Sequence, residues 1–196
     1  MNHPLQCRCG TLKGYVSDPD RANHCMCNCR SCKAFAHFLG RADDILDAQG
    51  GSEIIQTIPA HVTFTQGLEV IACMRLTEKG LMRWYTTCCN TPIGNTLANF
   101  RLSFVGLLHN VLEGSGSLDD VFGPIRMWVN TKGAKGQVPA KSFAGMMHIM
   151  GMLARARLDG SYKHTAFFSA DTGIPIVTPK VLGSAEYQAL MSAAER

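Results

Sequence analysis

The chain has 196 residues, 46% of them hydrophobic and only 17% Asp, Glu, Lys or Arg, against roughly 25% charged in an ordinary soluble domain. That balance excludes a solvated disordered polymer, and the length suits one domain with a real core spanning residues 1–196. The net charge of +4 is scattered, with no run of like charges to grip a phosphate backbone, so nucleic acid is not an expected partner.

In chain order, residues 11–16, 61–66, 69–76 and 80–87 carry β-branched and aromatic side chains between Gly, Pro and Asp, which predicts strands and a mostly β first hundred residues. A short helix is expected at 31–39. After Asn99 the pattern changes: Phe100, Phe104, Leu107, Leu108, Val111 and Leu112 recur at helical spacing before a Gly-Ser-Gly-Ser break at 114–117. A second apolar helix is expected at 142–158, buried through Phe143, Met146, Met147, Met150, Met152 and Leu153. Residues 123–141 and the tail from Thr172 read as loops with at most short strands.

The N-terminus lacks the basic start and apolar run of a secretory signal, and the 13 uncharged residues 142–154 fall short of the roughly 18 that span a bilayer. The expected compartment is the cytoplasm, with no membrane partner. There, nine cysteines read first as metal ligands or catalytic thiols rather than disulfides.

Six of the nine lie between residues 7 and 32. They form Cys7-Arg8-Cys9-Gly10 and then Cys25-Met26-Cys27-Asn28-Cys29-Arg30-Ser31-Cys32, with the pair Cys88-Cys89 following after about 55 residues. Thiolates one and three residues apart can converge on one ion, because a turn brings the sulfurs to one side and frees backbone N–H groups to bond them. Zn²⁺ takes such sulfurs tetrahedrally; four protein ligands close the site and three leave a position open. Four thiolates also hold iron–sulfur clusters, a third alternative beside zinc enzyme and zinc scaffold. Cys73 reads as a buried core thiol, and His24, beside Cys25, as a solvated loop histidine or a partner of a ligand. Arg30, Lys33 and Arg101 could meet a carboxylate substrate, although each is expected to be a surface charge.

Cys7-Arg8-Cys9-Gly10, Cys27-Asn28-Cys29-Arg30-Ser31-Cys32 and Cys89-Asn90-Thr91-Pro92-Ile93 stand in the order and approximate separation seen in the glutathione-dependent formaldehyde-activating enzyme and centromere protein V family, which residues 5–100 resemble. The closing Pro179-Lys180-Val181-Leu182 also looks like that family's end, and residues 100–158 resemble a helical insertion within the domain. The resemblance implies a mainly β (α+β), Mss4-like zinc-binding fold with a structural site carrying Cys7, Cys9 and Cys89. It also implies an open, candidate catalytic site of Cys27, Cys29 and Cys32.

The family's first cysteine in the third motif falls on Thr86, so Cys88, Cys25 or a water is left to complete the structural site, and the count is one or two zinc ions. Cys88 can join Cys89 only if the backbone turns there, a turn that Asn90 tolerates. The implied activity is that of a zinc-dependent carbon–sulfur lyase on a small thiol adduct, as in S-(hydroxymethyl)glutathione synthase, with a small thiol such as glutathione as partner. The alternative is a non-catalytic zinc-binding structural or interaction module. The apolar insertion could cover the site, form a homodimer surface or bind a partner.

Overall fold

A computed structural model describes residues 2–112, 117–139 and 143–195. Its elements run β1 (Asn2–Gln6), β2 (Lys13–Ser17), β3 (Asn23–Cys27), α1 (Arg30–Phe38), α2 (Ala42–Ile45), β4 (Ser52–Thr57), β5 (Val62–Gln66), β6 (Ile71–Arg75), β7 (Met82–Thr86) and β8 (Pro92–Thr96). They continue with β9 (Val105–Leu108), α3 (Leu118–Phe122), β10 (Met127–Val129), α4 (Phe143–Leu158), β11 (Lys180–Val181) and α5 (Ser184–Ala193). The fold is mainly β with several helices. A three-stranded sheet in the order β1-β2-β5 faces an eight-stranded sheet in the order β10-β3-β4-β9-β8-β7-β6-β11, whose two edge pairings are parallel and the rest antiparallel.

Strand alternation sorts side chains into two layers. On β7, Met82 and Trp84 point into the core shared by the two sheets, with Leu5, Val16, Ile55, Ile93, Val105, Leu107 and Phe167. Arg83 and Tyr85 point to the opposite face, where the rings of Phe35 and Phe38 on α1 meet them. There α1, through Ala34 and Phe35, and α5, through Tyr187, Leu190 and Met191, pack in one cluster with Met74 and Leu76, joined by Leu39 and Leu182. Burying a side chain of this kind is worth about 1.5–3 kcal/mol, so the continuous layer around Trp84 is the main apolar support of the fold.

The helix expected across 100–112 is absent, because residues 105–108 form β9 in the middle of the large sheet, paired with β4 on one side and β8 on the other. A strand covered on both faces has no polar alternation, so its apolar run mimics a helical stripe. Gly106 makes the strand possible, since a Cβ there would sit 2.8 Å from Cγ2 of Ile54. The segment 100–158 therefore contributes to both the middle and one edge of the sheet and is not a wholly helical insertion.

Residues 114–116 and Ser142 lie outside the described residues; Ser117 caps α3 by accepting from the Asp119 N–H at 3.2 Å. Helix α4 forms as expected but is not buried through its methionines: Phe143 is 79% exposed and Met146, Met147 and Met150 are near half exposed, while Gly145, Ile149 and Ala156 face inward. Apolar residues surround this helix on all sides, so the stripe alone could not tell the inner face. The tail is helical where loop was expected, because Ser184–Ala193 is rich in Ala, Glu, Gln and Leu, all good helix formers. Among the described residues no helix is long and apolar enough to cross a membrane.

Candidate metal centres

Two groups of thiols assemble from the cysteines: Cys7, Cys9, Cys88 and Cys89, and separately Cys27, Cys29 and Cys32, each with its sulfurs mutually within 4.8 Å. Either group could hold a metal ion. Sulfurs bound tetrahedrally at ~2.3 Å from one ion would stand about 3.8 Å apart. The first group shows Sγ–Sγ separations of 3.5 Å (Cys7–Cys9), 3.9 Å (Cys7–Cys88), 3.2 Å (Cys9–Cys88) and 3.7 Å (Cys88–Cys89). In the second, Cys27 and Cys32 are 3.9 Å apart. The separations of 3.2–3.9 Å lie at or below that spacing, so the donors already stand close enough together for one metal ion in each group.

The four-cysteine group joins the loop between β1 and β2 to the turn between β7 and β8. The Leu12 N–H donates to Cys7 Sγ at 3.3 Å, while the Arg8 N–H donates to the Thr91 hydroxyl at 3.1 Å and so ties the two loops together. Adjacent Cys88 and Cys89 reach the same group because the chain turns, with Asn90 left-handed at φ 52° and its N–H donating to the Thr86 carbonyl. Cys88 thus stands where Thr86 could not serve, and the Thr86 hydroxyl lies 3.4 Å from Cys89 Sγ. Burial raises the Cys7 thiol. It also raises Cys89, but contacts from the hydroxyls of Thr86 and Thr91 outweigh it and bring that thiol down to about 5. Cys88 is pushed up to about 12, by burial first and then by Cys9.

The three-cysteine group is local. β3 delivers Cys27, and Cys29 caps α1, its sulfur accepting from the Cys32 N–H at 3.3 Å. Hydrogen bonds from Cys27 and then Cys32 pull the Cys29 thiol well below the usual range, against burial, and a sulfur at a helix N-terminus is further favoured as thiolate. The contact with Cys29 raises Cys27 to about 11, and contacts with Cys27 and then Cys29 raise Cys32 well above its ordinary value. The three sulfurs are thus shifted in opposite directions, Cys29 down and Cys27 and Cys32 up, and a divalent ion bound by all three would displace the remaining thiol protons.

Cys29 forms part of the wall of a cavity of about 460 Å³ with Asn28, Arg30 and residues 130–133. Asn28 is fully buried, and both its carboxamide atoms lack a hydrogen-bond partner. The loop after β10 forms the other wall. Asn130 Nδ2 donates to Cys27 Sγ at 3.5 Å, and Gly133 packs so close that a Cβ would overlap the Asn28 carbonyl. Nothing in the spacing of the cysteines points to Asn130 or Arg83, whose Nη1 lies 3.9 Å from Cys32 Sγ. Asn28 was visible only as the residue inside C-x-C.

Cys25 belongs to neither group: two residues from Cys27 on β3, it shares that residue's face but stands roughly 6.6 Å along the strand, its thiol donating to the Met26 carbonyl at 3.6 Å. Cys73 is core, as expected. Lys33 is no surface charge, being 7% exposed with Nζ donating to the Gly133 carbonyl at 2.6 Å. Arg30 is exposed and pairs with Glu195, and Arg101 is exposed. His24 is not on a loop: it is fully buried on β3, with Nε2 at 2.7 Å from Glu53 and Nδ1 at 2.7 Å from the Gly123 carbonyl.

Residues 1–172 match the Family of unknown function (DUF6151). No curated protein matches the chain. Among solved structures, the chain is similar to the crystal structure of a Rhodobacter sphaeroides protein at 16% identity and a TM-score of 0.42, over 64% of this chain and 99% of that one.

Proposed function

The chain belongs to that family of unknown function, and we propose that it is a zinc protein of Mss4-like type in which the four-cysteine group closes around a structural ion and the three-cysteine group holds a second, open one. The observation that carries this reading is the unequal pair of sites: four sulfurs in one, and in the other three sulfurs, with Cys29 on the wall of a cavity and the unpartnered Asn28 carboxamide buried next to it in the chain. A zinc ion on three thiolates lowers the pKa of whatever fourth group it accepts. The chain's own part is to orient that group. The Asn28 carboxamide, one residue from Cys29, carries a donor and an acceptor that no protein group meets, and Asn130 steadies Cys27.

A small thiol such as glutathione fits the open position, and the reaction class is the making or breaking of a carbon–sulfur bond in its adduct with an aldehyde. In the forming direction the thiol loses its proton, its sulfur lone pair bonds the carbonyl carbon as the C=O π bond breaks and its pair moves to oxygen, and that oxygen takes up a proton. Elemental analysis should find about two zinc ions per chain, one in each thiol group. With Co²⁺ in their place, a titration with glutathione should change the absorption of one ion. Two ions that ignore every small thiol would instead favour a non-catalytic zinc module, and a chain without zinc would remove both readings.

A further inference from the structure

Arg83 is 2% exposed, on the face of β7 that packs beneath α1. Its guanidinium lies 5.3 Å from the centre of the Phe35 ring, its Nη1 donates to Asn95 Oδ1 at 2.9 Å, and the same Nη1 approaches Cys32 Sγ at 3.9 Å. Among the described residues no carboxylate pairs with it. An arginine cannot shed its proton in a protein, and a buried charge without a counter-charge is strongly destabilising. A neutral carboxamide and an aromatic face do not neutralise it. The group within reach that can take the opposite sign is the sulfur of Cys32, and with an ion bound the charge on that sulfur would belong to the whole three-cysteine centre. Three thiolate charges less the two of a divalent ion leave one negative charge, which matches the guanidinium.

We propose that Arg83 is the counter-charge of the Cys27, Cys29 and Cys32 centre, a positioning residue that makes this centre, and not the four-cysteine group, hold its ion as an anionic tris-thiolate. The inference rests on the metal reading of those three cysteines. Arg83 is not in the lining of the cavity behind Cys29; it acts through Cys32.

The test uses the full chain loaded with Zn²⁺ and a chromophoric chelator as competitor, with the Cys29→Ser chain marking which ion belongs to the three-cysteine centre. Arg83→Met should weaken that ion by about 10–100-fold, the range seen when outer partners of metal ligands are removed. The other ion should keep its affinity. Arg83→Lys, which retains the charge, should recover most of the loss, and in the Co²⁺ form the sulfur-to-cobalt band should shift in Arg83→Met but not in Arg83→Lys.

Asn95→Asp covers the case in which Arg83→Met fails to fold, because it keeps side-chain volume while giving the guanidinium a carboxylate of its own; it should weaken the same ion. Equal weakening of both ions, equal loss in the Lys and Met variants, or no change in Asn95→Asp would overturn the proposal while leaving the two-ion reading intact. A wild-type chain that held one ion, at the four-cysteine group, would overturn that reading and the proposal with it.

Discussion

The two thiol groups differ in how they are made. The sulfurs of Cys7 and Cys9 meet those of Cys88 and Cys89 from loops about 80 residues apart in the chain, one belonging to the small sheet and one to the large. Cys27, Cys29 and Cys32 lie within a single strand-to-helix turn, and a cavity opens beside them. Closing a long loop costs chain entropy that a local turn does not, so an ion at the first group would tie the two sheets together, whereas an ion at the second would add little to a turn already held by α1. Long-range ligands suit architecture, and short-range ligands leave a site free to exchange partners.

The largest expected effect breaks the first group. Cys9→Ser should cost several kcal/mol, because binding at a structural zinc site is folding free energy, and should lower Tm by on the order of 10 °C or more. Calorimetry of zinc-loaded chains measures it. Cys29→Ser should remove one ion but move Tm by only a few degrees (~2–4 °C per kcal/mol for a chain of this size). A fall in Tm as large for Cys29→Ser as for Cys9→Ser would erase the distinction between the two groups. Between them stands Cys88→Ser, which should release the structural ion more readily. Adding Thr86→Cys should restore retention, since the Thr86 side chain already lies 3.4 Å from Cys89 Sγ. Failure of that rescue would mean that Cys88 holds its place for reasons of packing.

A smaller effect concerns the cavity. Asn28→Ala should weaken binding of a small thiol to the Co²⁺ form by about 5–10-fold, the worth of one hydrogen bond at about 1–1.5 kcal/mol. It should leave metal content unchanged. If affinity rose instead, the buried carboxamide would be a desolvation burden with no ligand to meet it.

Much of this contrast was legible in the chain. The cysteine spacing pointed to metal, the family resemblance divided the ligands into two groups, and Asn90 marked the turn that lets two adjacent cysteines come together. The four strands read from β-branched and aromatic runs correspond to β2, β5, β6 and β7. What escaped was set by burial on both sides. Residues 105–108 and Cys25 to Cys27 are covered above and below, so no polar face announced a strand. Lys33 and His24 looked like solvent-facing charges because a one-dimensional pattern says nothing of a buried polar group satisfied from a hundred residues away, as Lys33 is by Gly133 and His24 by Gly123. Arg83 was hidden in the same way: it lies next to Trp84 in sequence but on the other face of the sheet.

The smallest effect is a pH dependence at the hinge between β3 and the segment that walls the cavity. His24 lies between the Gly123 carbonyl and the Glu53 carboxylate, both acceptors, with Asp119 3.4 Å away. A ring nitrogen that faces an acceptor must carry its proton, so the pair is satisfied with His24 as imidazolium and Glu53 ionised. Burial lowers the His24 pKa, but the Glu53 and Gly123 contacts outweigh it and the net shift is upward; Glu53 is shifted down, first by the hydrogen bond from His24.

The raised histidine stabilises the fold fully below its ordinary value of 6.5, and this is lost as pH climbs through the folded value. The lowered carboxylate contributes above its ordinary 4.5, and this is lost as pH falls through the folded value. Both contributions are therefore complete only between about 4.5 and 6.5. Glu53→Gln should flatten the stability profile across that window, lowering Tm there by on the order of 2–4 °C and converging on wild type at higher pH. The Gly123 anchor leads through β10 to Asn130 and Gly133, so thiol affinity at the open centre should fall in step. A variant that lost stability but kept its thiol affinity would show that the wall of the cavity stands without this pair.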